Sequence, residues 1–130
     1  MAKQFTLGKH ERLKSRKLIE QLFKEGKNFA MTPFRVYYLS AESAKSSLHF
    51  GVGVGTKNFK KAVDRNKVKR LTRESYRLQK IALQEKLEIK NIQLSLFFVY
   101  TAKEIPGYKD VYKKIGDILK KINIILDAKK

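Results

Sequence analysis

Apolar residues recur at helical spacing early in the chain. Leu18, Ile19, Leu22 and Phe23 fall one turn apart, with Lys17, Glu20, Lys24 and Glu25 filling the remainder. Ser15 before them is a good N-cap and Gly26 after them a good C′ residue, so a short amphipathic helix is predicted between the two. Pro33 opens a β-rich run, Phe34 to Leu39. The polar stretch Ala41 to Ser47 then reads as a turn or hairpin loop, and a second strand covers about His49 to Thr56. A helix is predicted from Ala62 to about Lys86. The apolar, β-branched and aromatic run Ile92 to Tyr100 reads as a buried strand. After the break at Ile105-Pro106-Gly107, a last helix carries Val111, Ile115, Ile118, Leu119, Ile122, Ile125 and Leu126 on one stripe.

The order helix, strands, helix, strand, helix predicts an α+β sandwich in which one face of a sheet is covered. No internal repeat, low-complexity tract or linker interrupts it, so residues 1–130 are expected to form a single domain.

Composition narrows the chemistry. The chain has no cysteine, which excludes disulfides, thiolate metal sites and cysteine nucleophiles. Its two histidines, His10 and His49, are too few for a multi-histidine metal cluster. No apolar run has the ~20 residues of a membrane span, and the N-terminus lacks the apolar core of a signal peptide. A cytoplasmic protein is expected. Against 12 Asp and Glu stand 30 Lys and Arg, a net charge of +18 on a chain that is 42% hydrophobic. The charge therefore sits on a foldable core, and its self-repulsion points to a polyanionic partner, nucleic acid first.

The charge is concentrated. Residues 65–77 hold six basic side chains and one acid, Glu74. At about 100° per residue, Arg65, Asn66, Lys69, Arg70, Arg73 and Arg77 share one arc, with Val68, Leu71, Ser75 and Leu78 opposite. Lys67 falls outside the basic arc. A solvated helix face would be laced with acids at i,i+4, whereas here the cations outnumber Glu74. Guanidinium forks suit bidentate phosphate contacts, and Asn66 adds a donor–acceptor pair.

Other features carry less. Gly51, Gly53 and Gly55 alternate along a strand and leave one face bare, which suits either a helix packed tightly on the sheet or a nucleic-acid backbone in close approach. Tyr76 is expected to be structural. Asp64 and Glu74 flank the basic face with no base, nucleophile or metal cluster around them, so no catalytic residue is assigned.

The string Arg65-Asn66-x-x-Lys69-Arg70-x-x-Arg73-Glu74 resembles the signature of the bacterial ribonuclease P protein component. The resemblance extends over most of residues 9–100. It includes Arg12-Leu13-Lys14 leading into the first helix, Phe34 to Leu39 as the first strand, and Gly51 to Val54 followed by Lys57, Ala62 and Val63. Lys67 departs from the pattern, which usually has arginine there, and Gly53 stands where serine is common. The turn Gly55 to Lys61 is slightly longer than usual, and the lysine tail is reduced to Lys129-Lys130.

The resemblance implies a two-layer α/β sandwich, of a kind shared with a ribosomal-protein domain, with a left-handed crossover through the signature helix. It also implies an enzyme subunit that does not itself cleave. A large catalytic RNA with bound magnesium ions would hydrolyse precursor tRNA and release its 5′ leader, and the protein's side chains alone would hold no metal. On matching positions, Arg65, Asn66, Lys67, Lys69, Arg70, Arg73 and Arg77 would bind the catalytic RNA. Ile19, Phe23, Tyr37, Gly53 and Lys57 would line a cleft for the single-stranded leader, with Arg12 as an N-terminal basic contact. Both partners would be RNA, with no protein partner and no membrane.

The bare residues keep rivals open. A structural, ribosomal-type RNA-binding protein would share the charge and the sandwich but has no reason to carry the Arg65–Glu74 spacing. An autonomous nuclease would need converging acids or histidines. A peripheral membrane protein would use the amphipathic last helix, whose apolar stripe is better explained as a lid on the sheet.

Overall fold

In a computed structural model describing residues 16–43 and 45–128, the chain runs α1 (Arg16–Glu25), β1 (Lys27–Met31), β2 (Phe34–Glu42), β3 (Ser47–Val54), α2 (Ala62–Gln79), α3 (Ile81–Lys90), β4 (Ile92–Tyr100) and α4 (Tyr108–Ala128). The predicted α+β architecture is present as a four-stranded mixed sheet in the order β1-β2-β4-β3. β4 is antiparallel to β2 and parallel to β3.

That order revises the stretch Ala41 to Ser47. β4 lies between β2 and β3, so no hairpin joins them: Ala41 and Glu42 end β2, Ser47 opens β3, and the connection passes the start of β4. The Ser43 N–H donates to the Asn91 carbonyl, at 2.9 Å, and ties the passage to the residue before β4. β1 was not predicted. It follows Gly26 without a loop and pairs with β2 from Lys27↔Tyr38 to Met31↔Phe34, as an edge strand whose residues are exposed or half-buried.

Each strand divides its side chains between two faces. Val36, Phe50, Leu96 and Phe98 point to the core face, which α2, α3 and α4 cover. α4 closes the sheet with its predicted stripe; Ile125 is only half-buried at the margin. At the β1 edge, the Lys121 ammonium sits 4.4 Å from the centre of the Phe29 ring, on which a cation is attracted to the π-face. Tyr76 is structural as predicted. It is fully buried and stacks flat on Phe50, ring centres 3.9 Å apart and 6° from parallel.

The helix predicted to run unbroken from Ala62 to about Lys86 is divided at Lys80, which nonetheless keeps right-handed helical dihedrals (φ −78°, ψ −15°). Its buried positions, Val68, Thr72, Tyr76, Leu83 and Leu87, continue at spacings of four and seven across the break, so periodicity alone sees one helix. Thr72 satisfies its buried hydroxyl by donating to the Val68 carbonyl at 2.9 Å. α3 extends to Lys90, and Asn91 (φ 54°, ψ 58°) caps it in the left-handed conformation, its N–H donating to the Leu87 carbonyl.

α1 lies on the face opposite the core, because Phe23 meets Tyr37 and Phe97, which alternate with core residues along β2 and β4. The second face is thus partly covered. Ser15, its expected N-cap, lies outside the described residues. At the other end Gly26 has no positive φ, and its need is for space. A Cβ there would sit 2.4 Å from the Leu22 carbonyl oxygen and 2.8 Å from that of Tyr38. No helix among the described residues is long and apolar enough to cross a membrane.

Candidate nucleic-acid interface

The outward side of α2 presents Asn66, Lys67, Arg70 and Arg73 to solvent, while Val68, Thr72, Ser75 and Tyr76 face the core. The buried stripe is rotated from the one expected. Leu78 is at the exposed margin and Leu71 half-buried, because Tyr76 on Phe50 and Gln79 on α4 set the helix's rotation. The same rotation brings Lys67, expected outside the basic arc, fully into the cationic face.

Arg65 moves the other way. It is half-buried, and its Nη1 donates to the Phe59 carbonyl at 2.8 Å and the Lys60 carbonyl at 2.9 Å. The Lys61 N-cap makes no side-chain cap, so Arg65 pins the loop against the first turn instead. Lys69 is half-buried on the flank. Arg77, one turn beyond Arg73, is ion-paired with Glu74, whose hydrogen bond is foremost in raising the guanidinium above its ordinary pKa. Between Asn66, Lys67 and Arg70 stands Val63, 76% exposed, an apolar contact among cations that was not assigned to the site.

The second candidate surface lies across the molecule, between α1 and the uncovered part of the sheet. Phe23, 45% exposed, leans on Tyr37 (ring centres 4.6 Å) and meets Phe97 edge-on (5.3 Å). Pairing fixes the floor: Tyr37 and Phe97 are opposite each other in β2 and β4, and Arg35, Val99 and Gly53 form the next rung. A Cβ on Gly53 would stand 3.0 Å from the Phe97 ring. The bare glycine face therefore accommodates a ring of the neighbouring strand, not a helix, since α2 and α3 pack on the other side. Ile19, one turn before Phe23, is half-buried. Lys57 is exposed on the loop that leaves β3. Arg12 lies outside the described residues.

Phe97 and Arg35 were missed. Phe97 shares the parity of the polar Gln93 and Ser95 in β4, a signal that sets it on the face away from the core. Arg35 has a discernible signal: it shares the parity of Tyr37 on a strand, so it shares its face. Its Nη1 donates to Asn28 Oδ1 at 2.7 Å. Among the described residues, no three His, Asp or Glu side chains gather as a metal site would require.

These two surfaces meet independent evidence of kinship. Residues 7–123 match the Ribonuclease P family. The chain belongs to that family. The ribonuclease P protein component of Porphyromonas gingivalis is 39% identical over 119 residues, covering 91% of this chain and 87% of that one. The same component from Chlorobium phaeobacteroides is 30% identical over 130 residues, covering 92% and 89%. Among solved structures, the ribonuclease P protein of Thermotoga maritima superposes with a TM-score of 0.62 at 27% identity, over 85% of this chain and 96% of that one. The Staphylococcus aureus ribonuclease P protein shares the fold, with a TM-score of 0.61 at 23% identity over 88% and 96%.

Proposed function

We propose that the chain acts as the protein subunit of ribonuclease P, assisting an RNA that carries out magnesium-dependent removal of the 5′ leader from precursor tRNA. The observation that carries this reading is the exposed side of α2, where the family's signature residues Asn66, Lys67, Arg70 and Arg73 stand together. That face would dock on the catalytic RNA through phosphate contacts, with counterion release supplying much of the affinity. Lys69 and Arg77 would contribute from its flanks. Arg65 would serve first by shaping the loop that leads into the helix.

The cleft of Phe23, Tyr37 and Phe97 would hold the leader. Aromatic faces accept any base, which suits a segment that differs between substrates. Ile19 would add apolar contact, Arg35 and Lys57 cations for the backbone, and Gly53 the room in which Phe97 lies. Magnesium ions would be held by RNA phosphates, whose hard oxygens suit that ion. The protein's part is to neutralise charge and position the substrate, in the cytoplasm.

Reconstitution tests this. Mixed with a matched ribonuclease P RNA and precursor tRNA at low magnesium, the protein should be required for leader release. Cleavage by the protein alone would overturn the assignment. So would a matched RNA, active by itself at high magnesium, that gains nothing from the folded protein.

A further inference from the structure

We propose that Tyr108 and Tyr112, on the first turns of α4, form a stacking platform for unpaired RNA nucleotides that prolongs the cationic face of α2. It rests on the RNA-binding reading above. The two rings stand 6.0 Å apart and are tilted by 45°, and they stay 40% and 39% exposed although α4's neighbouring stripe is fully buried.

Their place is set by the seam between α2 and α4. Gln79 Nε2 donates to the Tyr112 carbonyl at 2.9 Å and to the Ser75 carbonyl at 3.1 Å. Gly116 leaves room for that side chain, since a Cβ there would lie 2.7 Å from Gln79 Oε1. The platform thus adjoins the last turn of α2, which carries Arg77, and exposed Lys109 and Lys113 flank it on α4.

Chemistry selects the occupant. Exposed aromatic faces flanked by lysines, on a chain of net charge +18, fit bases carried on phosphates, and the same charge disfavours a second copy of this chain. A duplex keeps its bases stacked within itself, so the platform would take single strands, loops or bulges.

The probe is a purine-rich single-stranded RNA carrying one 4-thiouridine, with a duplex RNA of equal length as control. Photocrosslinks on the wild-type protein should map to the peptide holding Tyr108 and Tyr112, alongside any in the cleft. The pair Tyr108→Leu and Tyr112→Leu should lose that crosslink and weaken single-strand binding on the order of ten-fold, with duplex binding unchanged. Tyr108→Phe with Tyr112→Phe should bind as wild type does. Crosslinks confined to other peptides, or a leucine pair that binds single strands like wild type, would overturn the platform and leave the α2 reading intact. A wild-type protein that binds neither RNA would overturn both. Crosslink mapping on the wild type decides the matter even if the leucine pair folds poorly.

Discussion

The two candidate surfaces are built by different means. The α2 face comes from one helix, where Asn66, Lys67, Arg70 and Arg73 are neighbours because about 100° of rotation per residue makes them so. The cleft comes from four elements: Phe23 on α1, Tyr37 and Arg35 on β2, Phe97 on β4 and Gly53 on β3. One surface is cationic and has a single strong apolar exception, Val63. The other is aromatic with cations at its margin. A local surface tolerates loss of one member, whereas an assembled one depends on pairing register and on each ring bracing the next. The first suits a long-range, salt-sensitive hold on a folded RNA, the second a short-range hold on bases.

The largest effect is expected on α2. Arg70→Ala with Arg73→Ala should weaken binding to ribonuclease P RNA by about 10- to 100-fold at moderate salt, with the melting temperature little changed. The slope of log affinity against log salt should shrink by about 0.7–0.9 for each phosphate that the variant no longer neutralises. A slope equal to that of wild type would mean that these two arginines touch no phosphate. It would also erase the electrostatic half of the contrast.

Phe23→Ala should act elsewhere. Loss of one stacking face costs about 1–3 kcal/mol, so affinity for leader-bearing precursor tRNA should fall on the order of ten-fold. Mature tRNA without a leader should bind as before. Equal losses for both substrates, in a variant that melts normally, would break the division of labour between the surfaces.

What could be read in advance follows the same division. Charge and signature on α2 needed only helical phase, and the phase error that misplaced Leu78 and Lys67 was one of rotation set by tertiary contacts, Tyr76 on Phe50 and Gln79 on α4. The cleft needed strand order. Ala41 to Ser47 looks like a hairpin loop because consecutive strands commonly pair, and only the insertion of β4 between β2 and β3 brings Phe97 beside Tyr37. In Ile92 to Tyr100 the polar Gln93 and Ser95 share the parity of Phe97, so alternation separates Phe97 from the core ring Phe98, but it does not say what Phe97 meets on its own face. β1 escaped because Lys27 to Met31 is short, half polar and abuts Gly26. The resemblance supplied Phe23 and Tyr37 by position, yet Phe97, which touches Phe23 and crowds Gly53, came only with the sheet.

Arg65 sharpens the comparison from within the signature. It lies in the motif, but its guanidinium is spent on the Phe59 and Lys60 carbonyls. Arg65→Ala should therefore lower stability by about 1.5–3 kcal/mol, the range for hydrogen bonds to a charged group, where Arg70→Ala does not. Chemical denaturation of the two single variants separates them. Equal stability would mean that the loop holds without Arg65, and that all the signature cations are alike.

The smallest change tests how tightly the cleft is braced. In Gly53→Ala the new methyl would lie 3.0–3.1 Å from two atoms of the Phe97 ring, so the ring must yield by a few tenths of an ångström. It can yield towards Phe23, its edge-to-face partner, which is exposed enough to move with α1. Added bulk in a clamped site costs about 1–3 kcal/mol, so a yielding ring should keep the stability loss under about 1 kcal/mol. On the proposed reading the same shift would alter the aromatic angle that a leader base meets. Leader-dependent affinity should then fall a few-fold, while binding to ribonuclease P RNA through α2 stays unchanged. A large loss of stability would mean instead that α1 is locked onto the sheet, and that the cleft is a rigid seat whose selectivity comes from shape as much as from stacking.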